Sequence, residues 1–240
     1  MSHKLGICIP YRNRKEHIEN LIPHLSKYLN EKGIDHSFYV GHQIDEKLFN
    51  RGAMKNIGFL AMKKEYPETY KDITFIFHDV DTLPSDKCVI PYKTTTGKIA
   101  HYYGCKFALG GMFAIKGGDF EKSGGFPNFW AWGGEDNLIN TRALKVGLKI
   151  DRSVFFSLGD MNILQFADGL KRLICRDELA TTLEPDNIDV TSIQMHDTLC
   201  PLIWDVDEKL KPEVRKTLLL NAKRFIEFSG VESLKFNDVI

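Results

Sequence analysis

The sequence predicts an α/β fold, an open sheet with helices on its faces. Three observations carry this. Apolar, strand-like runs alternate with amphipathic helical periods in the order β-α-β-α-β from Leu5 to Phe77. That alternation favours parallel strands joined by right-handed crossovers. The third strand-like run has no polar face, as expected for a central strand. Finally, the chain has 240 residues, 43% hydrophobic and 27% charged, enough to bury a substantial core in a soluble domain.

The elements follow in order. Leu5–Ile9 is a short apolar run ending at Pro10 and reads as a buried first strand. Residues 14–32 place Ile18, Leu21, Ile22, Leu25 and Leu29 at helical spacing, with Gly33 as a stop. Residues 36–40 read as a second strand. A second amphipathic helix covers 50–66, with Met54, Ile57, Leu60 and Ala61 on one side, and Pro67 ends it. Residues 72–77, β-branched and aromatic, form the third strand. Glycine density between Gly104 and Gly134 argues for loops rather than simple helix or strand. Helical spacing resumes over 135–146. Residues 159–201 are irregular, and 211–228 suit a C-terminal helix. No repeat or linker marks a boundary.

Composition excludes some partners. Lys+Arg and Asp+Glu both number 32, so no net basic field favours nucleic acid or an anionic membrane surface. The N-terminal apolar run is too short for a signal peptide or membrane anchor. The five cysteines are widely spaced with no Cys-x-x-Cys pair, which disfavours structural zinc. No Asn-x-Ser/Thr sequon is present. A reducing, cytoplasmic setting is the expectation.

Two strings carry chemistry. Ligands of open α/β sheets bind beyond the carboxyl ends of strands. Asp79-Val80-Asp81 follows the third strand there, and carboxylates at i and i+2 can turn to one hard cation, Mn²⁺ or Mg²⁺, holding a diphosphate. Asp is also common in turns for capping reasons, so the pair alone is weak. The second string, Phe126 to Asp136, sets Trp130 and Trp132 beside Gly133-Gly134 and Glu135-Asp136. Tryptophans offer flat platforms for a sugar face, the glycines allow hinge motion, and the acids open a helix. First-turn acids also favour the helix dipole, and tryptophans also pack in cores, but neither explains the whole string.

With these strings in view, the sequence resembles the β-1,4-galactosyltransferase family, glycosyltransferase family 7. Four blocks match in order: Ile9-Pro10-Tyr11-Arg12-Asn13-Arg14; Phe49-Asn50-Arg51-Gly52 with Asn56-Ile57-Gly58-Phe59; Phe77 to Pro84; and Gly124 to Asp136. The resemblance covers about residues 5–150. It implies a GT-A fold, a Rossmann-like open mixed sheet. Residues 1–158 would form the catalytic core, with a divergent extension over 159–240 packed on it. It implies an inverting, metal-dependent hexosyltransferase that moves galactose or N-acetylgalactosamine from UDP to a glycan hydroxyl.

The resemblance also assigns residues. Pro10, Tyr11, Arg12 and Arg14 would hold the uridine and diphosphate, with Phe49 and Arg51 adding contacts. Asp81 would bind the metal, with Asp79 close to it and to the donor sugar, beside Val80. Trp132, Gly133 and Gly134 would close over bound donor. Glu135 would contact sugar, and Asp136 would be the catalytic base. The acceptor is GlcNAc-ended by analogy alone. A carbohydrate- or UDP-sugar-binding protein without turnover is the competing reading.

Two departures from the family matter. Before Gly110-Gly111 the vertebrate galactosyltransferases carry a Tyr, where this chain has Ala108. A smaller side chain leaves room for a 2-acetamido group, so UDP-Gal and UDP-GalNAc both stand as donors. The family's Met-x-x-His metal ligands are also missing, since residues 160–165 hold no His. His196 is the first substitute as third ligand, and His101 the second.

Overall fold

The computed structural model describes residues 4–43, 49–127 and 134–166. The expected C-terminal helix over 211–228, Trp130, Trp132, Gly133 and His196 lie outside the described residues.

The described chain forms β1 (Lys4–Tyr11), α1 (Lys15–Glu31), β2 (Asp35–His42), α2 (Arg51–Glu65), β3 (Thr74–His78) and β4 (Thr82–Pro84). Then follow β5 (Lys98–Gly104), β6 (Met112–Lys116), α3 (Gly117–Ser123), α4 (Glu135–Lys145), β7 (Lys149–Asp151), β8 (Phe156–Ser157) and β9 (Ile163–Gln165). The main sheet runs β2-β1-β3-β6-β5-β7, with β8 beside β5. β1 pairs parallel with both β2 and β3, while β6 is antiparallel to β3 and β5. The sheet is therefore open and mixed, as the sequence implies.

Strand alternation divides the core between the two sheet faces. Leu5, Ile7 and Ile9 pack with Ile18, Leu21, Leu25 and Leu29 of α1. Cys8, Phe75 and Phe77 point the other way, into Met54, Ile57 and Leu60 of α2 and Phe120 and Phe126. Each such aliphatic or aromatic side chain contributes about 1.5–3 kcal/mol on burial. Asn50 caps α2 by accepting the Ala53 N–H at 2.9 Å, a contact worth about 1 kcal/mol.

The glycine-rich middle corrects the expectation of loops. Strand β6 and helix α3 both lie within it. The glycines stand at element ends instead of interiors: Gly111 (φ 69°) leads into β6, and Gly124 (φ 77°) closes α3 in the left-handed conformation. Such positions favour glycine, so its density there punctuates structure without dissolving it.

Register positions the site. Cys8 of β1 lies opposite Phe77 of β3, so Pro10–Arg14 and His78–Asp81 leave the sheet from the same edge. The end of β2 joins them, because the Gln43 N–H donates to Tyr11 O at 3.1 Å and Gln43 Oε1 accepts the Asn50 N–H at 2.7 Å. Strand β9 pairs antiparallel with β4, tying residues 163–165 to the chain just after Asp81. Among the described residues, no helix is long and apolar enough to cross a membrane.

Candidate active site

Arg51, in the first turn of α2, reaches three carboxylates from two places in the chain, the end of β3 and the first turn of α4. Its Nε and Nη2 donate to Asp79 Oδ1 and Oδ2 at 3.2 and 3.0 Å, a bidentate pair at the end of β3. Nη2 also donates to Asp136 Oδ2 at 2.7 Å, and Nη1 donates to Glu135 Oε1. One turn later Lys55, with its side chain 1% exposed, places Nζ 3.0 Å from Asp79 Oδ1 and 3.7 Å from Asp136 Oδ1. Three carboxylates against two cations leave one negative charge in excess at the carboxyl edge of the sheet.

The electrostatics follow from burial and pairing. Burial pushes the Asp79 carboxyl up, but Arg51 and Lys55 outweigh it and hold the group at about 2. Glu135 moves the other way: burial raises it, Arg51 offsets part of this, and neighbouring Asp136 adds to the rise. Glu135 therefore protonates more readily than an ordinary glutamate, while Asp79 stays ionised.

Backbone bonds fix the carboxylates. The Asp79 N–H donates to Gly111 O, and the Leu109 N–H donates to Asp136 O, both at 2.9 Å. The Gly110-Gly111 turn thus lies between the two acids. Gly134, at φ 85°, lets the chain turn into α4, so that Glu135 and Asp136 stand in its first turn. The entry to residues 128–133 is pinned from both sides. Asn56 on α2 bonds the Phe126 N–H and C=O, each at 2.9 Å, and Arg142 on α4 donates to Gly125 O at 3.0 Å.

Of the remaining sequence-predicted residues, some leave the sheet at the same end as this cluster and others lie next to it in the chain. Pro10 and Tyr11 end β1, where the Tyr11 ring meets His42 edge-on at 4.7 Å. The chain then turns through Asn13 in the left-handed region (φ 52°), and half-buried Arg12 and Arg14 flank that turn. Phe49 packs partly buried on the α2 side of the core. Val80 and Ala108 are buried, and Ala108 closes a turn whose N–H donates to Cys105 O at 3.3 Å.

Metal fit separates the candidates. Both oxygens of Asp79 are engaged by Arg51 and Lys55. Asp81 is half-buried on the same turn, a hard oxygen donor of the kind Mn²⁺ or Mg²⁺ takes. Among the described residues no group of three His, Cys, Asp or Glu gathers as a metal cage. One carboxylate plus substrate phosphates nevertheless suits Mg²⁺-type binding. His101 does not fit as a ligand. Its Nδ1 accepts the Arg152 Nε–H at 3.0 Å, so Nε2 carries the proton and faces the Tyr103 and Gly110 carbonyls at 3.0 and 3.1 Å. No ring lone pair is left for a metal, and burial holds its pKa down at about 4. Gln165, where the family pattern would approach its histidine, accepts from the Tyr103 hydroxyl at 2.9 Å.

Lys55 and Arg142 are absent from the sequence-based reading. A signal for Lys55 existed: it follows Arg51 by four residues on a helix whose neighbouring positions, Ala53, Met54 and Ile57, are apolar. A lysine inside such a stripe is unusual unless it meets a buried charge.

Comparison with known proteins gives a consistent picture. A family model described as the N-terminal region of glycosyl transferase group 7 matches residues 1–94. A second, described as the N-terminal domain of galactosyltransferase, matches residues 91–165. Human beta-1,4-galactosyltransferase 4 is 35% identical over 161 residues, covering 62% of this chain and 45% of that protein. Mouse beta-1,4-galactosyltransferase 1 is 33% identical over 159 residues, covering 62% and 39%. The chain therefore spans less than half the length of these curated relatives. The catalytic domain of Drosophila beta1,4galactosyltransferase 7, solved with xylobiose, superposes with a TM-score of 0.62 at 24% identity, over 74% of this chain and 79% of that one. A mutant of the same Drosophila protein, solved with manganese, UDP-Gal and xylobiose, gives 0.61 at 22% identity over the same shares.

Proposed function

The chain belongs to glycosyltransferase family 7, whose two models together match residues 1–165, and on that footing we propose that it is an inverting hexosyltransferase. It moves galactose or N-acetylgalactosamine from a UDP-sugar to a glycan hydroxyl, forming a β-1,4 link. The observation that carries this reading is the Arg51-centred cluster of Asp79, Glu135 and Asp136 at the carboxyl edge of the sheet, beside the Arg12–Arg14 turn.

Each group has a role its position supports. Arg12 and Arg14 leave the end of β1, where cationic contacts suit a diphosphate. Asp81 would hold a divalent cation, which when bound neutralises charge on the leaving UDP. The mutant Drosophila relative was solved with manganese and UDP-Gal, which is in keeping with that pairing. Asp136 takes the acceptor proton, a step typically worth about 10²–10⁴-fold. Its Oδ1 is shielded from solvent and its Oδ2 accepts from Arg51, while the side chain as a whole is 20% exposed. The acceptor oxygen then attacks the anomeric carbon opposite UDP, and a single displacement inverts that centre. Residues 128–134 would exclude water, which otherwise hydrolyses the donor.

Ala108 bears on the donor. Its methyl group is buried before Gly110-Gly111, leaving the donor choice to a small side chain. A second reading, sugar binding without turnover, draws on Gln165 standing in the segment that lacks the family's histidine. The separating experiment supplies Mn²⁺ with UDP-Gal, UDP-GalNAc, UDP-GlcNAc or UDP-Glc over an acceptor array and measures UDP release. Acceptor-dependent release from UDP-Gal or UDP-GalNAc is expected. Sugar binding with no turnover from any donor would overturn the transferase reading.

A further inference from the structure

We propose that Lys55 is a positioning residue for Asp136, an inference that rests on the transfer reading. The argument starts from what Arg51 leaves undone. Its Nε, Nη1 and Nη2 are spread over three carboxylates, and it holds Asp136 by Oδ2 alone. A carboxylate gripped by one oxygen can still rotate, because its last torsion is broad. The other oxygen, Oδ1, is shielded from solvent and accepts no hydrogen bond among the described residues. The Lys55 ammonium, 3.7 Å away, is the cation that faces it.

Lys55 is built into place. It stands four residues after Arg51, so both project from one face of α2. Its Nζ lies over the Phe126 ring at 4.9 Å and is tied to Asp79 Oδ1 at 3.0 Å. Neighbours Met54, Ile57 and Phe126 are fully buried core residues. An apolar residue would pack here at lower desolvation cost, so the charge points to a task beyond packing. Together Arg51 at Oδ2 and Lys55 at Oδ1 define the plane of the Asp136 carboxylate. Displacement of a reacting group by about 1 Å can cost 10²-fold in rate.

The test compares Lys55→Met with the wild type in three ways: kcat, binding of UDP with Mn²⁺, and the crystallographic orientation of Asp136. The expected result is a fall in kcat of at least about tenfold, UDP affinity within about threefold, and an Asp136 carboxylate rotated off Arg51. Unchanged kcat overturns the proposal, and so does equal loss of kcat and UDP binding, which marks a merely structural lysine. An Asp136 that keeps its orientation in Lys55→Met overturns it even if the wild type transfers nothing, whereas a wild type inactive with every donor overturns the transfer reading itself. Should Lys55→Met not fold, the comparison is repeated in an Asp79→Asn background, which removes one buried negative charge that Lys55 offsets. There a further fall of at least about tenfold is expected, and no further fall overturns the proposal.

Discussion

Gly110 lies so close to Asp136 that a β-carbon on the glycine would stand 2.4 Å from Asp136 Oδ2. The closeness is steric and involves no left-handed backbone, since Gly110 is not among the positive-φ glycines. Arg51 already holds that oxygen and Lys55 faces the other, so the carboxylate has little freedom to retreat. Gly110→Ala should therefore move the proposed base and lower kcat by about 10²-fold, with the fold intact by circular dichroism. Full activity in that variant would show that Asp136 can relocate without consequence.

Arg51 should be the most costly single residue in the cluster to replace. It bridges Asp79, Glu135 and Asp136, and its removal leaves buried carboxylates with Lys55 alone. Losing one partner of a buried charge pair costs about 3–5 kcal/mol. For a chain of this size that corresponds to a fall in Tm of at least about 6 °C. Arg51→Lys should fare little better than Arg51→Met, because a point charge cannot span three acids. Thermal unfolding decides the matter, and a Tm within about 2 °C of wild type would contradict the assignment.

Stability should fall as pH drops from about 6.5 to about 4. Burial lowers His78 and His101 to about 4 against an ordinary value of 6.5. The sign is fixed by linkage: between those values the unfolded chain binds protons that the folded chain refuses, so acid favours unfolding. Each unit of depression is worth about 1.4 kcal/mol, giving a few kcal/mol for the pair. Asp79, held at about 2, adds a further loss below about pH 4, where the unfolded carboxyl protonates first. Glu135, raised by burial, works the other way above about pH 4.5, where the folded chain takes up its proton before the unfolded chain does. Urea unfolding at pH 7 and pH 5 tests the histidine part; equal stability at both would contradict it.

Donor preference should respond to residue 108. Ala108 is buried two residues before Gly110, and on the proposed donor reading a phenol ring there would take the place of a 2-acetamido group. Ala108→Tyr should shift the ratio of kcat/KM values towards UDP-Gal over UDP-GalNAc. Discrimination of this steric kind is typically about 10–200-fold. An unchanged ratio would remove Ala108 from the donor argument.

Much of this arrangement was legible before coordinates. The apolar run at Leu5–Ile9, the helical period from Ile18 to Leu29 and the Asp79 and Asp136 strings are local patterns, and local patterns survive folding. Other features depend on partners far along the chain. Lys55 reads as an ordinary helical lysine until Asp79 and Asp136 meet it. His101 looks available as a ligand until Arg152, 51 residues on, takes its Nδ1. Strand β6 hid among glycines because composition does not distinguish a glycine that ends an element from one that breaks it. The resemblance assigns Arg51 a nucleotide contact but does not foretell its pairing with Asp79, Glu135 and Asp136.

The central claim is that this chain transfers a sugar with Asp136 as base. Its most direct measurement is acceptor-dependent UDP release by the wild type and by Asp136→Asn, each at saturating donor and Mn²⁺. The account predicts turnover by the wild type and a loss of about 10²–10⁴-fold in the variant, with UDP binding retained. Transfer by Asp136→Asn at the wild-type rate would contradict it.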